Sequence, residues 1–374
     1  MIIVLDESIA ATLETQSSEG QQSENALNIC LQQAAQGHHI VVADRHVFER
    51  ILHSDAALTK RARAVLSKLA DRMTQSKALV AAASVLVRLV AGTNSEPTRH
   101  EVASGREEIV ITTGAVNACS ELLGLPGLLV ENAFDGRLYL KLATTLIQGG
   151  ITQDCLAFRG ITLRADIKPG GGHTLGELVA LENLRRNQLG LVIADSDIDY
   201  PGGSLGETAK AVQSVSRQPD FSCLITFVPL PVRAIENLIP LATLVRSCGA
   251  LDKSLGAAAM RTTTSIGTAK CWTHHNIKDG RRCFELVGES NLARYWTREL
   301  GATPCRSDDA CESKKKCNRY ILDPTSDKVV RYVSETSDSL DFSGQHSAEV
   351  RDAWNLIAHI IASWFCGHEA ILVL

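Results

Sequence analysis

Two apolar runs that stop abruptly on carboxylates constrain this chain more than any other feature. In Gly127–Gly136, reading GLLVENAFDG, the residues Leu128, Leu129 and Val130 give way to Glu131 and then Asp135. In Gly190–Gly203, reading GLVIADSDIDYPGG, Leu191 to Ala194 run into Asp195, Asp197 and Asp199. A short continuous apolar run bounded by turn residues predicts a buried strand. In an open α/β sheet the carboxyl ends of neighbouring strands share one crevice, so the two runs predict four or five carboxylates at one place. Like charges at that density require a cation. Hard oxygen ligands completed by water and substrate phosphates suit Mg²⁺ (or Mn²⁺) better than a zinc or calcium cage.

The order and spacing of these acids carry a resemblance. Glu131, Asp135 one helical turn later, and a later strand ending in Asp195-Ser196-Asp197 are similar to the TOPRIM fold of topoisomerases, primases and OLD-type nucleases. The segment LVENAFDGRLYLKLA resembles the opening of the OLD nucleases and of related TOPRIM proteins of phage defence, with Asn132 where glycine is usual. A third segment, LPVRAIENLIP (Leu230–Pro240), resembles the R-x-I-E-N stretch that follows the second acidic strand in those nucleases. The resemblance runs from Gly127 to Pro240. It implies an α/β fold, a TOPRIM-like sheet with flanking helices, and a Mg²⁺-dependent endonuclease or nickase acting on DNA or RNA. In that family pattern Glu131 serves as general acid/base or as ligand of a second metal, and Asp135, Asp195 and Asp197 hold Mg²⁺. Glu236 is expected either to bind a second metal or to orient Arg233, while Arg233 and Lys253 are the expected cations for the phosphoryl group. Asp199 is a further candidate ligand, although Tyr200-Pro201-Gly202-Gly203 after it equally predicts a turn.

At 374 residues and 45% hydrophobic composition the chain suffices for two or three units of about 150 residues each. Their expected limits are 1–119, 120–245 and 246–374. No apolar run approaches the roughly 18 residues that span a bilayer. The start MIIVLDESIAATLE carries an early acid instead of a basic, long-apolar leader, and the expected compartment is the cytoplasm. The formal net charge of −4 excludes a generally basic nucleic-acid coat. Local clusters remain at Lys60-Arg61-Ala62-Arg63, Arg185-Arg186, Arg281-Arg282 and Lys314-Lys315-Lys316. The 11 cysteines show no repeating framework and read as buried free thiols.

The first unit opens on a strand ending at Asp6 and continues with HHIVVADRHVFERIL, a strand leading through Asp44 into a helix bearing Glu49. A helix is expected from near Ser23 to Gly37, then helices over Ala56–Met73 and Ser76–Val90, a loop over Gly92–Glu108 and a strand over Glu107–Gly114. Asp6 and Glu49 resemble the first two acids of a PIN-like domain. Ser76-Lys77 and Thr113-Gly114 stand where its further acids belong, so the resemblance implies a smaller α/β domain without its own nuclease activity, serving docking or regulation.

Between the acidic strands, Gly170-Gly171-Gly172 before a helix near Thr174 predicts free amides that could seat a phosphate, with His173 alongside. It is not a Walker loop, because no Gly-Lys-Ser/Thr follows. Gly249–Ser265 reads as a helix, with Lys253, Arg261 and Lys270 spaced along one side of a groove. Cys271, His274, His275 and Cys283 lie upstream of Cys305, Cys311 and Cys317, but the short Cys-x-x-Cys knuckle of structural zinc is missing. Trp354, Ile357, Ile361 and Trp364 recur at helical spacing and predict core packing. With no ATPase motif, the family resemblance implies a nucleic-acid substrate and an ATPase or sensor partner, with no membrane and an open question of homo-oligomers. The alternatives are a non-catalytic interaction protein on the same scaffold, or a ribonuclease working through Asp6.

Overall fold

The computed structural model describes residues 1–15, 17–102, 105–301 and 319–371. Two sheets flanked by helices make an α/β protein. The first is a mixed, mainly parallel sheet of five strands: β1 (Ile2–Leu5), β2 (Ile40–Val42), β3 (Val85–Val90), β4 (Thr98–Glu101) and β5 (Glu107–Thr112). Their order is β2-β1-β3-β5-β4, with only the edge strand β4 antiparallel to its neighbour. The chain then forms β6 (Gly127–Val130), β7 (Thr162–Leu163), β8 (Asp166–Pro169), β9 (Gly190–Ala194) and β10 (Ile225–Pro229). Of these, β10-β9-β6-β8 make an all-parallel sheet, while β7 pairs with Cys366–Gly367.

Period-two alternation explains why β6 and β9 read as continuous apolar runs. Leu128, Val130, Leu191 and Ile193 enter the main core. Leu129, Val192 and Ala194 face the other way, onto Leu175 and Val179 of the helix Leu175–Arg185 and Ala209 and Val212 of the helix Glu207–Ser216. A parallel sheet covered on both faces has no polar side to show. The helix Ala133–Gln148 carries the chain from β6 to β8 on one side, and Leu175–Arg185 brings it back past β6 to β9 on the other. That reversal opens a crevice at the carboxyl ends of β6 and β9, where Glu131 and Asp195 emerge.

Several expected boundaries are corrected. The stretch Ser76–Val90 is not one helix: a helix occupies Met73–Ala82, and Val85–Val90, with valine at three of its six positions, is the mostly buried strand β3. The expected loop Gly92–Glu108 contains β4. The helix expected near Ser23 starts at Ser18, because Ser17 accepts the Gly20 N–H and caps it. The helix expected over Ala56–Met73 occupies only Lys60–Asp71 and is capped by Thr59. Gly249–Ser265 is divided at Asp252, which ends the helix Leu241–Leu251 and caps the next, Lys253–Ile266.

The C-terminal helix Ala348–Phe365 ties the sheets together. Trp354 Nε1 donates to the Leu238 carbonyl at 2.8 Å, His359 Nε2 lies 2.6 Å from the Ala82 carbonyl, and the Ser84 N–H donates to Ser363 Oγ at 3.0 Å. One apolar cluster runs through all three segments of the chain. Among the described residues no helix is long and apolar enough to cross a membrane.

Candidate active site

Glu131 leaves β6 half-buried, and its Oε1 accepts the Asp195 N–H at 3.3 Å, so the ends of β6 and β9 are joined through this carboxylate. Asp135 sits in the first turn of the following helix and reaches back to accept the Asn132 N–H at 3.0 Å. Asp195 accepts the Ile235 N–H at 3.0 Å, which draws the R-x-I-E-N segment over the crevice. Glu236, next in that segment, is 1% exposed, and neither of its oxygens has a hydrogen-bond partner among the described residues. The ammonium of Lys278 lies 2.9 Å from Glu236 Oε1 as an ion pair that is close without being aligned as a hydrogen bond.

The electrostatics of these groups are shared. Burial, then Asp135, pushes the Glu131 carboxyl up to about 7. Burial, then Glu236, pushes Asp135 up to about 6. Asp195 is raised well above the carboxylate range by burial, Glu236 and Glu131, and Lys278 opposes the shift in all three. Burial lowers the Lys278 ammonium, but Glu236, Asp195 and Asp135 outweigh it and the pKa is raised. Tyr139, one turn beyond Asp135 and 2% exposed, has its phenol held protonated by burial and by the same carboxylates.

The remaining expected ligands form a second, outer layer. Asp197 is exposed and adopts a left-handed backbone, φ 52°; a side chain at Gly206 would collide with its carboxylate. Asp199 is ion-paired to Arg233 and, at 3.2 Å, to Arg281, which is 2% exposed and stacks 4.4 Å from the centre of the Trp296 ring. Arg233 reaches Asp197 at 3.7 Å as well. It therefore pins the loop after β9, and Glu236 pairs with Lys278 instead of orienting Arg233. Lys253 is exposed at the start of its helix, and the lysine against the carboxylates is Lys278.

Sequence reasoning passed over Lys278 because it lies in CWTHHNIKDGRRC, where the histidines and cysteines drew attention. The turn itself was legible. Asn276 Oδ1 accepts the Asp279 N–H at 3.1 Å, Gly280 takes φ 71°, and the Thr325 N–H and hydroxyl both bond the Ile277 carbonyl, fixing Lys278 between them. His275 is fully buried between Trp272 and Trp296, and burial, then Arg281, drives its pKa down to about 3. Cys271 and Cys283 are buried thiols. The other zinc candidates, Cys305, Cys311 and Cys317, and the cluster Lys314-Lys315-Lys316 lie outside the described residues. The glycine loop also differs from expectation: the Gly170 amide donates to Val130, and those of Gly171 and Gly172 to the Glu131 carbonyl, so none of the three is free for a phosphate. The loop buttresses Glu131 instead.

Chemically, the donor set is all hard oxygen, with buried Glu236 matched by Lys278 alone among the described residues and three carboxyls raised first by burial and then by one another and Glu236. This chemistry fits a hard divalent cation. Among the described residues, however, no three ligating side chains converge closely enough to hold a metal. Lys278 supplies the positive charge there. No family model, curated protein or solved structure matches this chain.

Proposed function

We propose that the chain is a Mg²⁺- or Mn²⁺-dependent phosphodiesterase of TOPRIM type, a nuclease or nickase acting on nucleic acid. One observation carries the reading: Glu131 accepts the Asp195 N–H, Asp195 accepts the Ile235 N–H and the neighbouring Glu236 meets the Lys278 ammonium, all at the carboxyl ends of β6 and β9, where an open parallel sheet reverses. The cation, when bound, polarises phosphoryl oxygens and lowers the pKa of the attacking water. Asp135 and Asp195 would hold it, with water and substrate phosphate oxygens completing its shell and Asp197 at the rim. Glu131, raised to about 7, is suited to take and return a proton near neutrality. The Lys278 ammonium offers its charge to the nonbridging oxygens as negative charge develops there. Arg233 acts on the loop, holding Asp197 and Asp199 in place.

In the N-terminal sheet the two acids of the PIN-like resemblance are engaged with their own neighbours. Asp6 caps a helix through the Ser8 N–H and lies 3.5 Å from Arg88, while Glu49 pairs with Arg45 on the surface. The lack of a convergent ligand triad among the described residues favours one rival, a non-catalytic interaction protein on the same core. Incubation with supercoiled plasmid, single-stranded DNA and tRNA in Mg²⁺ or Mn²⁺ separates the two. Cleavage that disappears in Glu131→Gln and Asp195→Asn supports the enzyme; no cleavage of any of the three by the wild-type chain favours the scaffold. Activity lost in Asp6→Asn but kept in Glu131→Gln would instead transfer the chemistry to the first sheet.

A further inference from the structure

The five-stranded sheet has a crevice of its own. β2 and β3 lie on opposite sides of β1, so the chain reverses about β1 as it does about β6. Val4, Val42 and Arg88 are neighbours in register and share one face. Over that face, at the strand ends, is a cavity of about 400 Å³, a size that takes a small organic ligand. One wall is apolar, made by Val42 with Val47 of the helix Arg45–His53 and Met73 and Val80 of the helix Met73–Ala82.

Its polar groups restrict what can enter. Arg88 is bound through two nitrogens to Glu108, at 2.7 and 2.9 Å, and lies near Asp6, so its charge is already matched. Glu7 is paired with Arg50 at 3.0 Å. Asp44, at the end of β2, occupies a helix-capping position without making the capping bond, which leaves its carboxylate available to a ligand. Lys77 is at the exposed rim. Among the lining groups Asp6, Glu7 and Asp44 outnumber Arg88 and Lys77, and no glycine turn follows β1 to admit a phosphate: Asp6 and Glu7 stand there instead. A phosphate is repelled, whereas a neutral donor-rich group is attracted. A strand-end carboxylate accepts two hydrogen bonds from a vicinal diol, and a flat, weakly polar ring suits the valine and methionine wall.

We propose that this crevice binds an uncharged ribonucleoside, its base against Val42, Val47, Met73 and Val80 and its ribose diol on Asp44. The site is separate from the carboxylate cluster and does not depend on its function. Titration calorimetry on the full chain, with adenosine, guanosine, cytidine and uridine as probes, tests it. One of the four is expected to bind saturably. Its 2′-deoxy form and its 5′-monophosphate are each expected to bind roughly tenfold or more weakly, the first through loss of a charge-assisted hydrogen bond and the second through repulsion. In Asp44→Ala the ribonucleoside weakens by a similar factor and the preference for ribose over deoxyribose vanishes; in Asp195→Asn both persist. No saturable binding of any of the four, a monophosphate that binds more tightly than its nucleoside, or an Asp44→Ala variant with an intact ribose preference overturns the proposal.

Discussion

Both sheets bring acids to the carboxyl ends of parallel strands, yet the two sets of acids are in opposite electrostatic states. In the first sheet Arg88 lowers the Glu108 carboxyl, and at Asp6 the Ser8 N–H and Arg88 outweigh the opposing effect of burial. In the second, burial and repulsion raise Glu131, Asp135 and Asp195, and Lys278 does not balance them. An acid at a strand end is therefore uninformative until the cations around it are counted. In the first sheet Glu108 and Asp6 are matched by Arg88, and Asp44 stands without an ion-pair partner among the described residues. The second has a surplus of negative charge that a substrate-bound cation would relieve.

The contrast can be broken most sharply by activity. Asp195→Asn is expected to reduce Mg²⁺-dependent cleavage on the order of 10³-fold, because several kcal/mol of metal-borne stabilisation go with it, whereas Asp6→Asn leaves the rate unchanged. Gel assays of both variants on the same substrate compare the two sheets directly; equal losses would erase the distinction.

Removing the central cation of each cluster tests the same contrast through stability. Arg88→Met strands Glu108 and Asp6 and is expected to destabilise by about 3 kcal/mol, irrespective of Mg²⁺. Lys278→Met strands the more deeply buried Glu236, with a similar loss of about 2–3 kcal/mol, because the Lys278 side chain is solvated nearly as much as that of Arg88. Millimolar Mg²⁺ is expected to recover the second loss and not the first. Urea unfolding with and without Mg²⁺ reads both, and a Mg²⁺ response in Arg88→Met would count against the comparison.

The pH dependence should differ in sign. A carboxyl raised on folding is still protonated in the folded state where the unfolded chain has lost its proton, so stability falls as pH rises. For Glu131 and Asp135 this window runs from the ordinary 4.5 and 3.8 up to about 7 and about 6. Asp6 and Glu108 are lowered, so their contribution is complete above the ordinary carboxylate values and is lost as pH falls through the lowered ones. Glu131→Gln is expected to flatten the stability slope between pH 5 and about 7 in metal-free buffer; an unchanged slope would place its origin elsewhere. The smallest effect belongs to Lys253→Ala. Exposed and outside the cluster, it is expected to change stability by less than about 0.5 kcal/mol and to leave cleavage rates unaltered.

What the sequence determined by itself is the local part. The runs at Leu128–Val130 and Leu191–Ala194 read as buried strands with acids at their ends, Trp354, Ile357, Ile361 and Trp364 read as a core-facing stripe, and the fold has both. Even there the helix expected over Ser76–Val90 gives way to the strand β3, because a short apolar run has no periodicity that separates the two states. Only the tertiary structure decided which acids share a site. Sheet order set Asp195 beside Glu131; Arg281, buried on Trp296, drew Asp199 away together with Arg233; and a turn more than forty residues beyond Glu236 delivered Lys278. Strand formation depends on neighbours along the chain and is written in their spacing. Charge pairing depends on distance in space, which sequence separation does not encode, and so the matching of Asp6 and Glu108 by Arg88 and the surplus around Lys278 became visible only once the chain had folded.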